Sequence, residues 1–164
     1  MKKIPDNAKK VFEGIMFDVY HWDQEMFDGS FETFEAIKKR SAVFVLATHD
    51  GKIVINHEQQ PSRSDFFSLP GGLTEKDQAD VLGNAKRELL EETGYESDDW
   101  VLWFESDEFG HSQIDTVIYF FIARYSMKIR DQKLGPGEKI ETKLVTFEEF
   151  LELRHNQDFR NKDL

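Results

Sequence analysis

A chain of 164 residues that is 39% hydrophobic and carries 15 Phe is long enough to bury one sizeable core, and too apolar for a disordered tail. Its net charge of −11 repels phosphate backbones and anionic lipid, which argues against nucleic acid and membranes as partners. Cysteine is absent, excluding disulfide frameworks and thiolate chemistry, and no apolar run reaches signal or membrane-span length, so the sequence reads as a cytoplasmic protein.

No repeat or linker divides the chain, and one domain over residues 1–164 is expected. "VFEGIMFDVYHW" (11–22) alternates roughly with period two and predicts one or two strands; "FDGS" (27–30) is a turn, and "FETFEAIKK" (31–39) a further strand. The clearest hairpin is 41–59, where two apolar, β-branched runs flank Asp50-Gly51, a dipeptide suited to a type I′ turn. "FFSLPGG" (66–72) predicts a short strand entering a glycine loop. From about Ala79 to Thr93 the period changes: Leu82, Ala85 and Leu89 share one helical stripe, and Gly94 is placed as a C-cap. Strands are expected at 99–106 and 115–125, the latter apolar on consecutive positions, as a strand covered on both faces should be. A loop at 134–141, a short strand at 142–146 and a helix over 146–154, opened by a Thr cap with Glu149 three residues on, complete the chain. Mostly strands with two helices fits a layered α/β sandwich.

The helix ends in "RELLEETG" (87–94), which puts Glu88 and Glu92 at i and i+4 with Glu91 one step aside. Like charges at that spacing cost about 0.2–0.5 kcal/mol per pair, and acids in a last turn oppose the helix dipole. Arg87 offsets part of this through Glu91. Two readings compete: a solvated face of an acidic protein, or carboxylates whose repulsion is relieved by a hard divalent cation such as Mg²⁺.

The wider stretch "PGGLTEKDQADVLGNAKRELLEETGY" (70–95) resembles the Nudix box of the Nudix hydrolases, with Arg87, Glu88, Leu89, Glu91, Glu92 and Gly94 in register. Two features depart from that pattern. The early Glu of the box is replaced by Gln78 or Ala79, depending on the direction of counting, and the stretch from Gly72 to Arg87 is one residue longer. Glu75, Asp77 and Asp80 are the nearby acids available to take its place, and Tyr95 stands at the final aliphatic position.

The resemblance implies an α/β/α sandwich around a mixed β-sheet with extra N-terminal strands, and Mg²⁺- or Mn²⁺-dependent hydrolysis of a nucleoside diphosphate derivative. By the same resemblance Glu88 and Glu92 would be the principal metal ligands and Glu91 a further ligand, with Glu91 and Glu92 also catalytic groups. The carbonyl of Gly71 would be a backbone ligand and Arg87 would hold the acids. A distal Glu would complete the site, with Glu138 first and Glu141 second, both in "PGEKIE" (136–141). The segments flanking the box look like the ADP-ribose and nucleotide-sugar pyrophosphatase branch, which implies nucleoside monophosphate and sugar phosphate as products, and a homodimer built with the N-terminal strands (about 1–40). The Arg usual after the "EQ" stretch in that branch is absent here: Pro61 occupies its place and Arg63 follows two residues late. The chain stops at "RNKDL", soon after its last helix, which suggests that a C-terminal element of those relatives is missing. Alternatives are hydrolysis of dinucleoside polyphosphates or nucleoside triphosphates, and a nucleotide sensor without turnover. "HEQQ" (57–60) lacks the second His of a zinc-protease helix and reads as a strand, while His21, His49, His111 and His155 are scattered. The aromatics at 100–104 and 117–121 are expected in the core.

Overall fold

The computed structural model describes residues 4–61, 63–75, 80–107 and 113–162. The strands are β1 (Lys9–Glu13), β2 (Phe17–Glu25), β3 (Phe31–Lys39), β4 (Ala42–His49), β5 (Lys52–Gln60), β6 (Arg63–Ser68) and β7 (Gly71–Leu73) ahead of helix α1 (Val81–Thr93). After it come β8 (Tyr95–Glu96), β9 (Asp99–Ser106), β10 (Ile114–Asp115), β11 (Ile118–Arg124), β12 (Met127–Lys128), β13 (Lys139–Val145) and helix α2 (Phe147–Leu153).

The central sheet runs β13-β5-β4-β11-β9 and is mixed: β11 is parallel to β4, and the other pairings along it are antiparallel. Its period-two alternation builds two cores. Val43, Val45, Ala47, Val54, Phe121 and Ala123 pack under Ala85 and Leu89 of α1. Phe44, Ile53, Ile55, Leu69 and Phe120 form the core on the other face, with Phe150 and Leu153 of α2 packed against it. One helix on each face makes the expected α/β/α sandwich, and full burial of a side chain such as Leu89 contributes about 1.5–3 kcal/mol. A separate sheet, β1-β2-β3-β10, carries the N-terminal strands.

The hairpin turn has φ of 47° at Asp50 and 73° at Gly51, the two positive values a type I′ turn needs. Beyond it the sheet forks. β4 and β5 pair only at Thr48↔Ile53 and His49↔Lys52, and then each takes a different partner. β4 receives β7, with Val43↔Gly72 and Phe44↔Gly71, whereas β5 receives β6, with Asn56↔Ser68 and Glu58↔Phe66.

Several expectations need correction. The 66–72 segment is two strands, because Leu69-Pro70 crosses the fork, and Gly71 and Gly72 belong to β7 instead of a loop. The 115–125 segment is also divided: Ile114–Asp115 joins the N-terminal sheet beside β3, and only Ile118–Arg124 enters the central one. The strand expected at 142 begins at Lys139, so Glu141 is a strand residue. Edge strand β9 leaves Val101, Leu102 and Trp103 exposed, while Trp100 and Phe104 pack against the core. Both helix caps form as read: Gly94 is left-handed at φ 76°, and Thr146 makes a complete capping box with Glu149.

Candidate active site

Helix α1 starts at the Asp80 cap, whose side chain accepts from the Gly83 N–H at 2.7 Å. Asp80 is thus committed to capping, and Glu75 is exposed; Asp77, Gln78 and Ala79 lie outside the described residues. The buried stripe of α1 runs through Ala85 and Leu89 to Glu92, with Leu82 only partly covered. A glutamate therefore continues the apolar stripe into the core, which a solvated acidic face would not do.

Glu92 is 6% exposed. Its Oε2 accepts from the Gly71 N–H at 2.8 Å and from Asn56 Nδ2 at 2.9 Å, linking α1 to both prongs of the fork. Desolvation raises the Glu92 pKa well above its ordinary 4.5, and the negative fields of Glu58, Glu88 and Glu138 add to that rise against the Gly71 hydrogen bond. Glu88 is raised too, chiefly by desolvation, although the Arg87 charge opposes the shift. Arg87 donates to Glu88 Oε1 at 2.7 Å and to Glu91 Oε2 at 2.8 Å. Desolvation works against the Arg87 charge, but the two carboxylates outweigh it and raise its pKa. Arg87 therefore holds the two acids apart and aimed.

The glycine strand approaches this cluster closely. A Cβ on Gly72 would lie 3.0 Å from Glu88 Oε1, so the absent side chain leaves room for that carboxylate. The C-terminal end of α1 is tied down by the segment leading to β13. Ile129 N–H donates to Gly94 O at 2.9 Å, Lys133 N–H donates to Glu91 O at 2.8 Å, and Gln132 Nε2 donates to Glu92 O and Thr142 Oγ1.

Of the two distal acids, the structure brings only Glu138 toward the cluster. Its charge is felt by Glu58, Glu88 and Glu92, while its Oε2 accepts from the Gly135 N–H at 2.8 Å. Glu141 pairs across the sheet with His57, on the face opposite Asn56 and Glu58, and its carboxylate lies 3.7 Å from His57 and 3.4 Å from Lys143. Strand alternation thus turns Glu141 away from α1.

Sequence reasoning missed Glu58. It is 4% exposed on β5, accepts from Ser68 Oγ, and has its pKa raised mainly by desolvation. The available signal was the polar pair Asn56 and Glu58, which alternates with Ile55 and His57 along one strand and so shares a single face. Asn56 was missed as well, and its buried Oδ1 has no hydrogen-bond partner among the described residues.

The NUDIX domain family matches residues 38–163 of this chain. An ADP-ribose pyrophosphatase of Bacillus subtilis (strain 168) is 29% identical over 156 residues, covering 92% of this chain and 82% of that protein. A methanol dehydrogenase activator of Bacillus methanolicus is 28% identical over 150 residues, covering 88% of this chain and 79% of that one. The crystal structure of an ADP compounds hydrolase superposes with a TM-score of 0.76 at 19% identity, covering 96% of this chain and 85% of that one, which shows a common fold. The chain belongs to the NUDIX family of pyrophosphatases, hydrolases that act on phosphoric anhydrides.

Proposed function

We propose that this protein hydrolyses the diphosphate of ADP-ribose or a related nucleotide sugar, with Glu88, Glu91, Glu92 and the Gly71 carbonyl holding Mg²⁺ or Mn²⁺. The observation that carries the reading is the convergence of Glu88, Glu92 and Glu58, all with raised pKa, around the Gly71-Gly72 strand.

The family is typically dependent on divalent metal, and the donor chemistry fits a hard cation. Among the described residues both hydrogen bonds to the Glu92 carboxylate end on Oε2, those from Arg87 end on Glu88 Oε1 and Glu91 Oε2, and Asn56 Oδ1 is an acceptor without a donor. No group of three or more His, Asp or Glu side chains among the described residues is gathered to hold a metal ion by itself. A hydrated Mg²⁺ bound by one or two carboxylates plus substrate phosphates needs none. When bound, the cation would neutralise diphosphate charge and acidify a coordinated water.

The reaction adds water to one phosphorus and breaks the P–O–P bridge, giving nucleoside monophosphate and sugar phosphate. In this chain Arg87 keeps Glu88 and Glu91 oriented, Asn56 and Gly71 fix Glu92, and Glu138 accepts the proton from the attacking water or adds a further ligand. The N-terminal sheet leaves Phe12, Phe31 and Phe34 exposed, and a homodimer across it belongs to the same proposal. AMP release from ADP-ribose in millimolar Mg²⁺, abolished by EDTA, is the expected result. Absence of AMP, with turnover of another nucleotide diphosphate, would move the substrate assignment.

A further inference from the structure

The last described turn of the chain, Asn156–Lys162, is built against the fork. Phe159 is 2% exposed, sits in the core under α2 and bridges in parallel to Phe67 of β6. Arg160 N–H donates to Phe67 O at 2.8 Å, and the buried Asn161 accepts from the Leu69 N–H at 2.9 Å. Arg160 thus lies in a turn between two buried anchors, with its own side chain exposed. Its guanidinium lies 5.2 Å from the centre of the Phe44 ring and within the field of Glu58 and Glu92.

Arg63, at the start of β6, lies 5.8 Å from the centre of the Phe66 ring, close enough for its charge to act on Arg160. Among the described residues neither guanidinium makes a side-chain hydrogen bond or an ion pair, although the chain has 32 acidic residues to 21 Lys and Arg. Both line an open pocket of about 450 Å³ between β6 and the tail. Two acids, Asp65 and Asp158, line it as well; Asp65 is engaged by Gln59 Nε2 at 2.7 Å. Arg160 is exposed to water, yet desolvation by the surrounding protein still lowers its pKa, as in a wet concave site. Arg63 and Arg160 repel each other, the fields of Glu58 and Glu92 offset part of that repulsion, and an incoming anion held between the two guanidiniums removes it.

We propose that Arg160, assisted by Arg63, is the cationic half of the substrate site and clamps the diphosphate on the β6 side of the carboxylate cluster. A guanidinium binds phosphate oxygens in a bidentate fork, which Lys cannot reproduce. The tail thereby supplies a phosphate-binding Arg from the far end of the chain, at a position that no local motif marks. This inference rests on the diphosphate reading above.

The test compares wild type, Arg160→Ala, Arg160→Lys and Arg63→Ala as full chains in Mg²⁺. Binding of inorganic pyrophosphate is measured by calorimetry, apart from ADP-ribose kinetics. Arg160→Ala should weaken pyrophosphate binding about 10- to 100-fold, the loss of one charge-assisted bidentate pair, with Arg160→Lys only partly restoring it and Arg63→Ala losing less. The same order should appear in kcat/KM. Melting of the ligand-free proteins reports whether the tail stays docked, and Arg63→Ala leaves the tail anchors untouched. Pyrophosphate affinity within twofold of wild type in Arg160→Ala, or no pyrophosphate binding by wild type, would overturn the proposal. Wild type that binds pyrophosphate through Arg160 but leaves ADP-ribose intact would overturn the substrate reading alone.

Discussion

Gly71 and Gly72 are neighbours in β7, yet alanine at the two positions should fail in different ways. At Gly71, φ is 150°, and an added Cβ would lie 2.1 Å from Val43 O and 2.9 Å from Phe44 Cα, both backbone atoms of β4. Neither can turn aside, so β7 must pull away from β4 by about an ångström, roughly the difference from ordinary contact. Overpacking costs about 1–3 kcal/mol and the strained φ about 1–3 more, so Gly71→Ala should lose about 4 kcal/mol. For a chain of this size that is a fall in Tm of about 8–16 °C. At Gly72 the three atoms nearest the Cβ would all belong to the Glu88 carboxyl group, at 3.0–3.3 Å, the movable end of a side chain. Glu88 must shift by a few tenths of an ångström against the hold of Arg87. Stability should then change by less than about 1 kcal/mol, while turnover falls roughly ten- to a hundredfold through a misplaced ligand. Thermal melts paired with Mg²⁺-dependent AMP release from ADP-ribose would read both effects. The reasoning fails if Gly71→Ala melts with wild type, or if Gly72→Ala keeps the wild-type rate.

Glu92→Gln keeps the shape that meets Gly71 and Asn56 but removes the charge, so kcat should drop on the order of 10²–10³-fold with the fold intact; a wild-type rate would remove Glu92 from the site. The same pair of proteins tests the electrostatics. Because the folded-state pKa of Glu92 lies above the ordinary 4.5, the folded protein retains a proton that the unfolded chain releases, and this favours folding below that range and is lost as pH rises through the raised value. In EDTA, Tm of wild type relative to Glu92→Gln should therefore decline as pH rises above the ordinary 4.5 and recover in Mg²⁺; a relative rise with pH would contradict the sign. Glu138→Gln should slow turnover at least tenfold while Glu141→Gln changes it less than twofold, since the Glu138 charge reaches Glu88 and Glu92 whereas Glu141 lies beside His57, and equal losses measured by initial rates would refute that division.

The fold was legible wherever local chemistry repeats. Asp50-Gly51 announced its turn, Thr146 with Glu149 announced a cap, and the mixed burial of β11 was visible in its consecutive apolar residues. The carboxylates of α1 were legible for a different reason: their mutual repulsion has no local benefit, so the pattern called for a cause outside the helix. What escaped was decided by distant pairing. Glu58 reads as an ordinary strand acid until β6 brings Ser68 to it and α1 brings Glu92 near. The division of 66–72 came from a fork that Leu69-Pro70 spans between two strands far apart in pairing, and nothing within those seven residues encodes it. Glu138 and Glu141 could not be separated while the start of β13 was placed three residues late.

The fork also sorts the site by inheritance. One prong and the helix beneath it carry Gly71, Gly72, Glu88 and Glu92, groups whose spacing tolerates almost no drift because a backbone or carboxylate contact occupies each gap. The other prong carries β6 with Arg63, and the docked tail with Arg160, both on exposed surface with room to exchange side chains. On the proposed role of Arg63 and Arg160, a lineage of such proteins could therefore change what it grips by substitution along β6 and the tail without disturbing the glycine–carboxylate half. In these terms the divided sheet separates a part that selection must hold still from a part that it can edit.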